Sequence, residues 1–203
     1  MNGGTRTGMA GPRGLAWLRG WLAAALCALL AACASVPDAP PRTAQDAFSR
    51  SGRFAITVTE VSGPQQAVQG GFTWRDDGHR YMLDLTNPLG STEARVQGQP
   101  GHATLTKADG TVLQADTPDA LAEEALGGPV PVSSLRDWLR GRVADDVPAA
   151  SIQRDDQGRP VAFQQDGWHA RLSRYDAQGP GLLVLQRTEP GRRIMVRLAI
   201  NQP

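Results

Sequence analysis

The side chain with the clearest chemical task is a thiol. Cys33 follows Leu30-Ala31-Ala32 at the end of an uncharged run, Trp21 to Ala32. That tetrapeptide is a lipobox. Small residues at 31 and 32 let the backbone enter a peptidase cleft, the Cys33 thiol takes a diacylglycerol, and cleavage before it frees an amine for a third acyl chain. Cys27, in the middle of the apolar run, reads as a small apolar residue.

No other residues assemble into a reactive set. There is no Gly-x-Ser-x-Gly nucleophile elbow and no Gly-rich phosphate loop opening a helix. His79, His102 and His169 lie far apart, and none has a second His at metal-ligand spacing. The pairs Asp76-Asp77, Asp145-Asp146 and Asp155-Asp156 fall in turns or loops, where Asp serves turn geometry. The sequence therefore predicts no enzyme, no metal site and no cofactor. Composition excludes further classes. A net charge of +1 over 203 residues gives no basic stripe for nucleic acid. Two Cys make neither a disulfide scaffold nor a closed zinc site. Hydrophobic content of 40%, with 23 Gly and 15 Pro scattered throughout, fits neither disorder nor a coiled coil.

The elements that must position Cys33 come in three parts. Residues 1–32 read as an export signal, with Arg6, Arg13 and Arg19 ahead of the apolar run. Twelve residues make a helix of about 18 Å, too short for a hydrocarbon core of roughly 30 Å. Residues 33–47 form the lipidated Cys and its tether, with Pro37, Pro40 and Pro41 keeping it extended. Ala34, where Asp commonly retains a lipoprotein in the inner membrane, favours the outer membrane of a Gram-negative cell. Without residues 1–32 the chain holds 18 basic and 20 acidic side chains, a net −2. Thr43 to Phe48 reads as a short helix capped by Thr43.

Residues 48–203 form the third part, one domain. Its period is two: Phe54, Ile56 and Val58; Phe72 and Trp74; Tyr81, Leu83 and Leu85; Ile194, Val196, Leu198 and Ile200. Half-buried antiparallel strands produce this alternation. Turn sequences such as Ser62-Gly63-Pro64, Asp109-Gly110 and Glu189-Pro190-Gly191 separate ten or eleven strands at meander spacing. Two short helices interrupt them. Thr117 caps the first, Pro118 starts it and Gly127 ends it; Ser134 caps the second and Gly141 stops it. Each is apolar on one side only, so both should lie across the mouth or concave face of a curved sheet.

One stretch is more specific than generic sheet. Leu85-Thr86-Asn87-Pro88-Leu89-Gly90-Ser91-Thr92-Glu93, the helix Leu135-Arg136-Asp137-Trp138-Leu139-Arg140-Gly141, the early Phe48-Ser49-Arg50-Ser51-Gly52-Arg53-Phe54 and the lipobox together resemble the LolB family of outer-membrane lipoprotein receptors. The resemblance implies a mainly β fold: a strongly curved antiparallel sheet, an incomplete barrel, capped by short helices over an apolar cavity. It implies a monomer, anchored in the outer membrane and facing the periplasm, that accepts lipoproteins by their acyl chains from the carrier LolA and inserts them into the membrane. The candidates for the cavity wall are Phe54, Ile56, Phe72, Trp74, Tyr81, Leu83, Leu135, Trp138, Leu139, Trp168 and Val196. Asn87-Pro88 breaks a strand and Gly90 allows a tight turn, so Pro88, Leu89 and Gly90 form a loop with Leu89 at its tip. The family's corresponding leucine implies a role in delivering cargo to the membrane. Two rival classes share the outline. A structural or assembly outer-membrane lipoprotein would have a filled interior, and an anchored hydrolase would have a polar cleft.

Overall fold

A computed structural model describes residues 47–126 and 129–201, all within the compact unit Thr43–Pro203. Cys33, the signal and the tether up to residue 46 lie outside the described residues. Eleven strands form one antiparallel sheet: β1 (Phe48–Glu60), β2 (Gln66–Asp76), β3 (Tyr81–Thr86), β4 (Thr92–Gln99), β5 (His102–Lys107), β6 (Val112–Ala115), β7 (Ala149–Arg154), β8 (Pro160–Gln165), β9 (Trp168–Ser173), β10 (Leu182–Glu189) and β11 (Arg192–Ile200). Their order is β6-β5-β4-β3-β2-β1-β11-β10-β9-β8-β7. Two meanders thus meet where the first strand pairs with the last, from Gly52↔Ile200 to Glu60↔Arg192. Phe48 is strand, not the end of a helix, because Phe48 to Val58 pair with Asp76 to Gln66 of β2.

Period two has the expected consequence. Phe54, Ile56, Val58, Phe72, Trp74, Leu83, Val96, Leu105, Leu183, Leu185, Ile194, Val196 and Leu198 are all buried on one face, the inner face. Gly52 marks a close approach there: a Cβ at that position would stand 2.2 Å from the Ala199 carbonyl oxygen, so no larger residue fits beside β11. The outer face carries the alternate residues. The sheet's two edges, β6 and β7, are short or irregular. The pairing of β7 with β8 slips twice, and Ser151 takes φ 54°, which blunts the edge against pairing with another chain.

The chain between the edges lies against the inner face. Helix α1 (Pro118–Leu126) buries Leu121 and Ala122, and helix α2 (Val132–Trp138) buries Val132, Leu135 and Trp138. Ser134 is not the cap of α2. The helix begins two residues earlier, after Pro131, and no side chain of its own caps it. Asp119 of α1 takes that task, accepting the Ser133 N–H at 2.8 Å. Sequence spacing along α2 cannot reveal a cap lent by another helix. The C-terminal end follows the expected stop: Gly141 takes φ 71°, its N–H bonds the Trp138 carbonyl, and the Arg142 N–H reaches back to Asp137.

Candidate functional site

Beneath α2 lies a cavity with no polar lining residue except the indole of Trp74. β1 contributes Phe54 and Ile56, β2 Phe72 and Trp74, β3 Leu83 and Leu85, and β11 Val196 and Leu198. Leu126, Val130, Leu135 and Leu139 cover it from the helical side. Eight of the eleven wall candidates stand here. Tyr81, Trp138 and Trp168 do not line this cavity. Tyr81 stacks on the Trp74 ring, centroids 4.8 Å apart, and Trp138 meets Phe163 edge-on at 5.5 Å. Trp168 is 1% exposed in the core, with the Arg187 guanidinium 5.9 Å from its ring centre.

Leu85, Leu126, Val130 and Leu198 join the wall without having been singled out. Leu85 and Leu198 carry the same strand period as their neighbours. Val130 sits in Pro129-Val130-Pro131, where no periodicity speaks for it.

The volume is the surprise: about 20 Å³, room for roughly one water molecule. An acyl chain cannot enter this conformation. The apolar side chains of α2 and of the segment before it fill the space that cargo would need. Trp74 is fully buried in this wall, and its indole N–H has no hydrogen-bond partner.

What holds α2 down is polar. The Asp76 carboxylate, at the end of β2, accepts Arg136 Nε and Nη2 at 2.8 Å each, Arg140 Nη2 at 3.0 Å and the Gly78 N–H at 2.8 Å. Its side chain is 1% exposed. Burial pushes this carboxyl up, but the hydrogen bonds from Arg136, Gly78 and Arg140 outweigh it and hold it below its ordinary 3.8. The Arg136 guanidinium lies over the Tyr81 ring and Arg140 over Phe48, 5.6 and 4.3 Å from the ring centres. Burial, with Asp119 nearby, pushes the Tyr81 phenol up, so it stays neutral.

On its other side α2 is tied to β8. Gln165, 2% exposed, accepts Trp138 Nε1 at 2.9 Å and the Ala144 N–H at 3.1 Å, and donates to the Ala144 and Val147 carbonyls at 2.7 Å. Neither the Asp76 clamp nor the Gln165 knot is visible in the sequence pattern. Both are long-range pairings of ordinary polar residues, and the sole local signal was a polar residue at an inward strand position.

The loop joining β3 to β4 has the opposite character. Asn87 organises it: its side-chain oxygen accepts the Leu89 and Ser91 N–H groups at 3.0 Å, and its carbonyl accepts the Gly90 N–H at 2.9 Å. Its amide nitrogen donates to Glu93 at 2.7 Å. Pro88 follows Asn87 as in a type I turn, and Gly90 takes φ 92°, which favours glycine. The result is a braced loop whose tip, Leu89, is 93% exposed. An exposed leucine is ordinary; one held out by four hydrogen bonds is a built feature.

Sequence comparisons with known proteins agree in one direction. Residues 46–202 match the family model described as outer membrane lipoprotein LolB. The chain is 82% identical over 189 residues to the outer-membrane lipoprotein LolB of Bordetella petrii, covering 93% of this chain and 95% of that one. It is 66% identical over 187 residues to the Bordetella parapertussis protein of the same name, covering 92% and 94%. Against that of Cupriavidus taiwanensis it is 42% identical over 181 residues, covering 86% of each. Among solved structures, a LolA superfamily protein from Nitrosomonas europaea aligns with 80% of this chain and 92% of its own at a TM-score of 0.40 and 11% identity.

Proposed function

The chain belongs to the LolB family of outer-membrane lipoproteins, and we propose that it receives lipoproteins from the periplasmic carrier LolA and releases them into the outer membrane. The acyl chains would enter the space under α2, and the Leu89 loop would meet the bilayer. Cys33 would carry the protein's own lipid anchor.

The observation that carries this reading is the apolar lining beneath α2. A structural lipoprotein needs a core, but it does not need a core helix held on both sides by polar ties. Hydrocarbon inside the sheet would have to displace α2, and the magnitudes allow it. Leu135, Trp138 and Leu139 lose about 1.5–3 kcal/mol each when they leave the core and the polar ties add several more, whereas each of a lipoprotein's three long acyl chains gains on the order of 10 kcal/mol at about 0.8 per CH₂. Cargo can therefore open its own site. We further infer that the sheet curls round α2: the helix reaches both Asp76 of β2 and Gln165 of β8. Those strands stand five places apart, about 24 Å in a flat sheet, against a helix of about 10 Å diameter.

The test is transfer. A radiolabelled lipoprotein bound to the carrier should pass to this protein in a one-way exchange that needs no nucleotide. Failure to acquire the label, with the fold intact, would leave the structural-lipoprotein reading in its place.

A further inference from the structure

Charge on the outer face is segregated in a way the cavity does not explain. Outward positions of β9, β10, β11, β1 and β2 carry Arg53, Arg75, Arg171, Arg193 and Arg197 and no Asp or Glu. This is not a general excess of base, because the chain after residue 32 is net −2. Arg75 leans on Asp84 at 3.5 Å. Among the described residues, the side chains of Arg53 and Arg197 have neither an ion-pair nor a hydrogen-bond partner, and both residues are exposed.

The register brings these two together. Arg53 pairs with Ala199 and Arg197 with Ala55, so the two arginines lie diagonally across β1 and β11, about 8 Å apart by strand geometry. Between them and the β3–β4 loop runs a groove of about 540 Å³, bordered by Arg53, Arg197, Asn87, Pro88 and Gly90 and by no carboxylate. Gly71 of β2, at an outward position, puts no side chain on its floor. One rim is cationic, with two planar guanidinium forks; the other is the loop that holds out Leu89. That is the arrangement of a phospholipid: an anionic headgroup beside the start of an apolar region.

We propose that this groove binds the phosphate headgroups of anionic phospholipids in the membrane surface, and so sets the domain's orientation for delivery. The proposal rests on the reading of Leu89 as a membrane-contacting residue and gives that contact a headgroup-selective partner. Guanidinium matches phosphate oxygens bidentately, which an ammonium cannot do. A bilayer is favoured over an acidic protein surface because the family is membrane-anchored and because one rim of the groove is the loop that carries the exposed Leu89.

The experiment uses the chain from residue 33 onward with Cys33→Ala, so that no acyl anchor contributes. Its partition is measured into vesicles of phosphatidylcholine alone and of phosphatidylcholine with 30% phosphatidylglycerol (about 30%, to give an anionic surface), at low and high salt. Each basic residue near an anionic surface is worth about 1 kcal/mol, about fivefold, so two give a gain of about 25-fold at low salt. The double variant Arg53→Gln/Arg197→Gln should lose that gain and keep the phosphatidylcholine baseline. Arg53→Lys/Arg197→Lys should keep part of it, which guards against a folding artefact. Leu89→Glu should lower binding to both vesicle types, and further to the anionic one at low salt, where its carboxylate is repelled. A full phosphatidylglycerol gain in the glutamine variant overturns the proposal, and so does the absence of any gain in the parent; in either case a Leu89→Glu defect leaves the loop reading standing. A glutamine variant that keeps the vesicle gain but accepts cargo more slowly from the carrier also overturns it, assigning the face to an acidic protein surface.

Discussion

Replacing Asp76 with Asn should loosen α2 and, against intuition, improve uptake of lipid. The carboxylate is 1% exposed and accepts four hydrogen bonds, three of them from guanidinium groups. Removing one member of a buried ion pair costs about 3–5 kcal/mol. Arg136 and Arg140 are 28% and 18% exposed, so water takes over part of their solvation, and about 2 kcal/mol is the discounted figure. For a domain of this size that lowers the melting temperature by about 4–8 °C. If α2 must leave its seat before an acyl chain enters, the same 2 kcal/mol raises the open fraction about 25- to 30-fold. Apparent affinity for a fluorescent fatty acyl probe should rise by that factor in equilibrium titration. A lower melting temperature with unchanged or weaker probe binding would make α2 ordinary structure and not the gate.

Other consequences follow from the same contacts. Leu89→Glu should leave the melting temperature unchanged, since the side chain is 93% exposed, and should slow release of cargo into vesicles while uptake from the carrier continues. A large drop in melting temperature would mean that Leu89 is packed. Gln165→Leu strands the Trp138 and Ala144 N–H groups and two carbonyls, at about 1–3 kcal/mol for each buried group, so the urea midpoint should collapse with little change in slope. Acid should unfold the domain through Asp76 and Asp176, both held below the ordinary carboxylate value by arginine hydrogen bonds that outweigh burial. A depressed folded-state value gives stability that is present above about pH 4, the unfolded value, and is lost as pH falls further. Urea midpoints measured between pH 3 and pH 7 check this, and a midpoint that holds at pH 3 contradicts it.

Much of this architecture is legible in one sequence because period two is a strong signal wherever one face is wet. Phe54-Ile56-Val58 and Ile194-Val196-Leu198-Ile200 fix both strands that join the two meanders, and the turn sequences fix their ends. The Leu89 loop is legible for the same reason: Asn, Pro and Gly act locally. Long-range facts are not. Nothing near Ser134 says that Asp119 lends its cap, and nothing near Asp76 says that residues 136 and 140 will close on it. The state of the cavity is less legible still, since the same apolar residues serve a filled core and an open pocket. Arg53 and Arg197 appear in sequence as unrelated charges and become neighbours only through the pairing of the first strand with the last.

The most direct measurement of the central claim uses tryptophan as a ruler. Trp74 lines the cavity, whereas Trp138 and Trp168 are buried elsewhere in the core. Variants retaining one tryptophan each would receive, from the carrier, a lipoprotein whose acyl chains bear bromine, a short-range fluorescence quencher. Trp74 should be strongly quenched upon transfer and Trp168 much less, and both should recover once vesicles take the cargo. Transfer that leaves Trp74 no more quenched than Trp168 would contradict the claim, because the acyl chains would then be travelling outside the sheet.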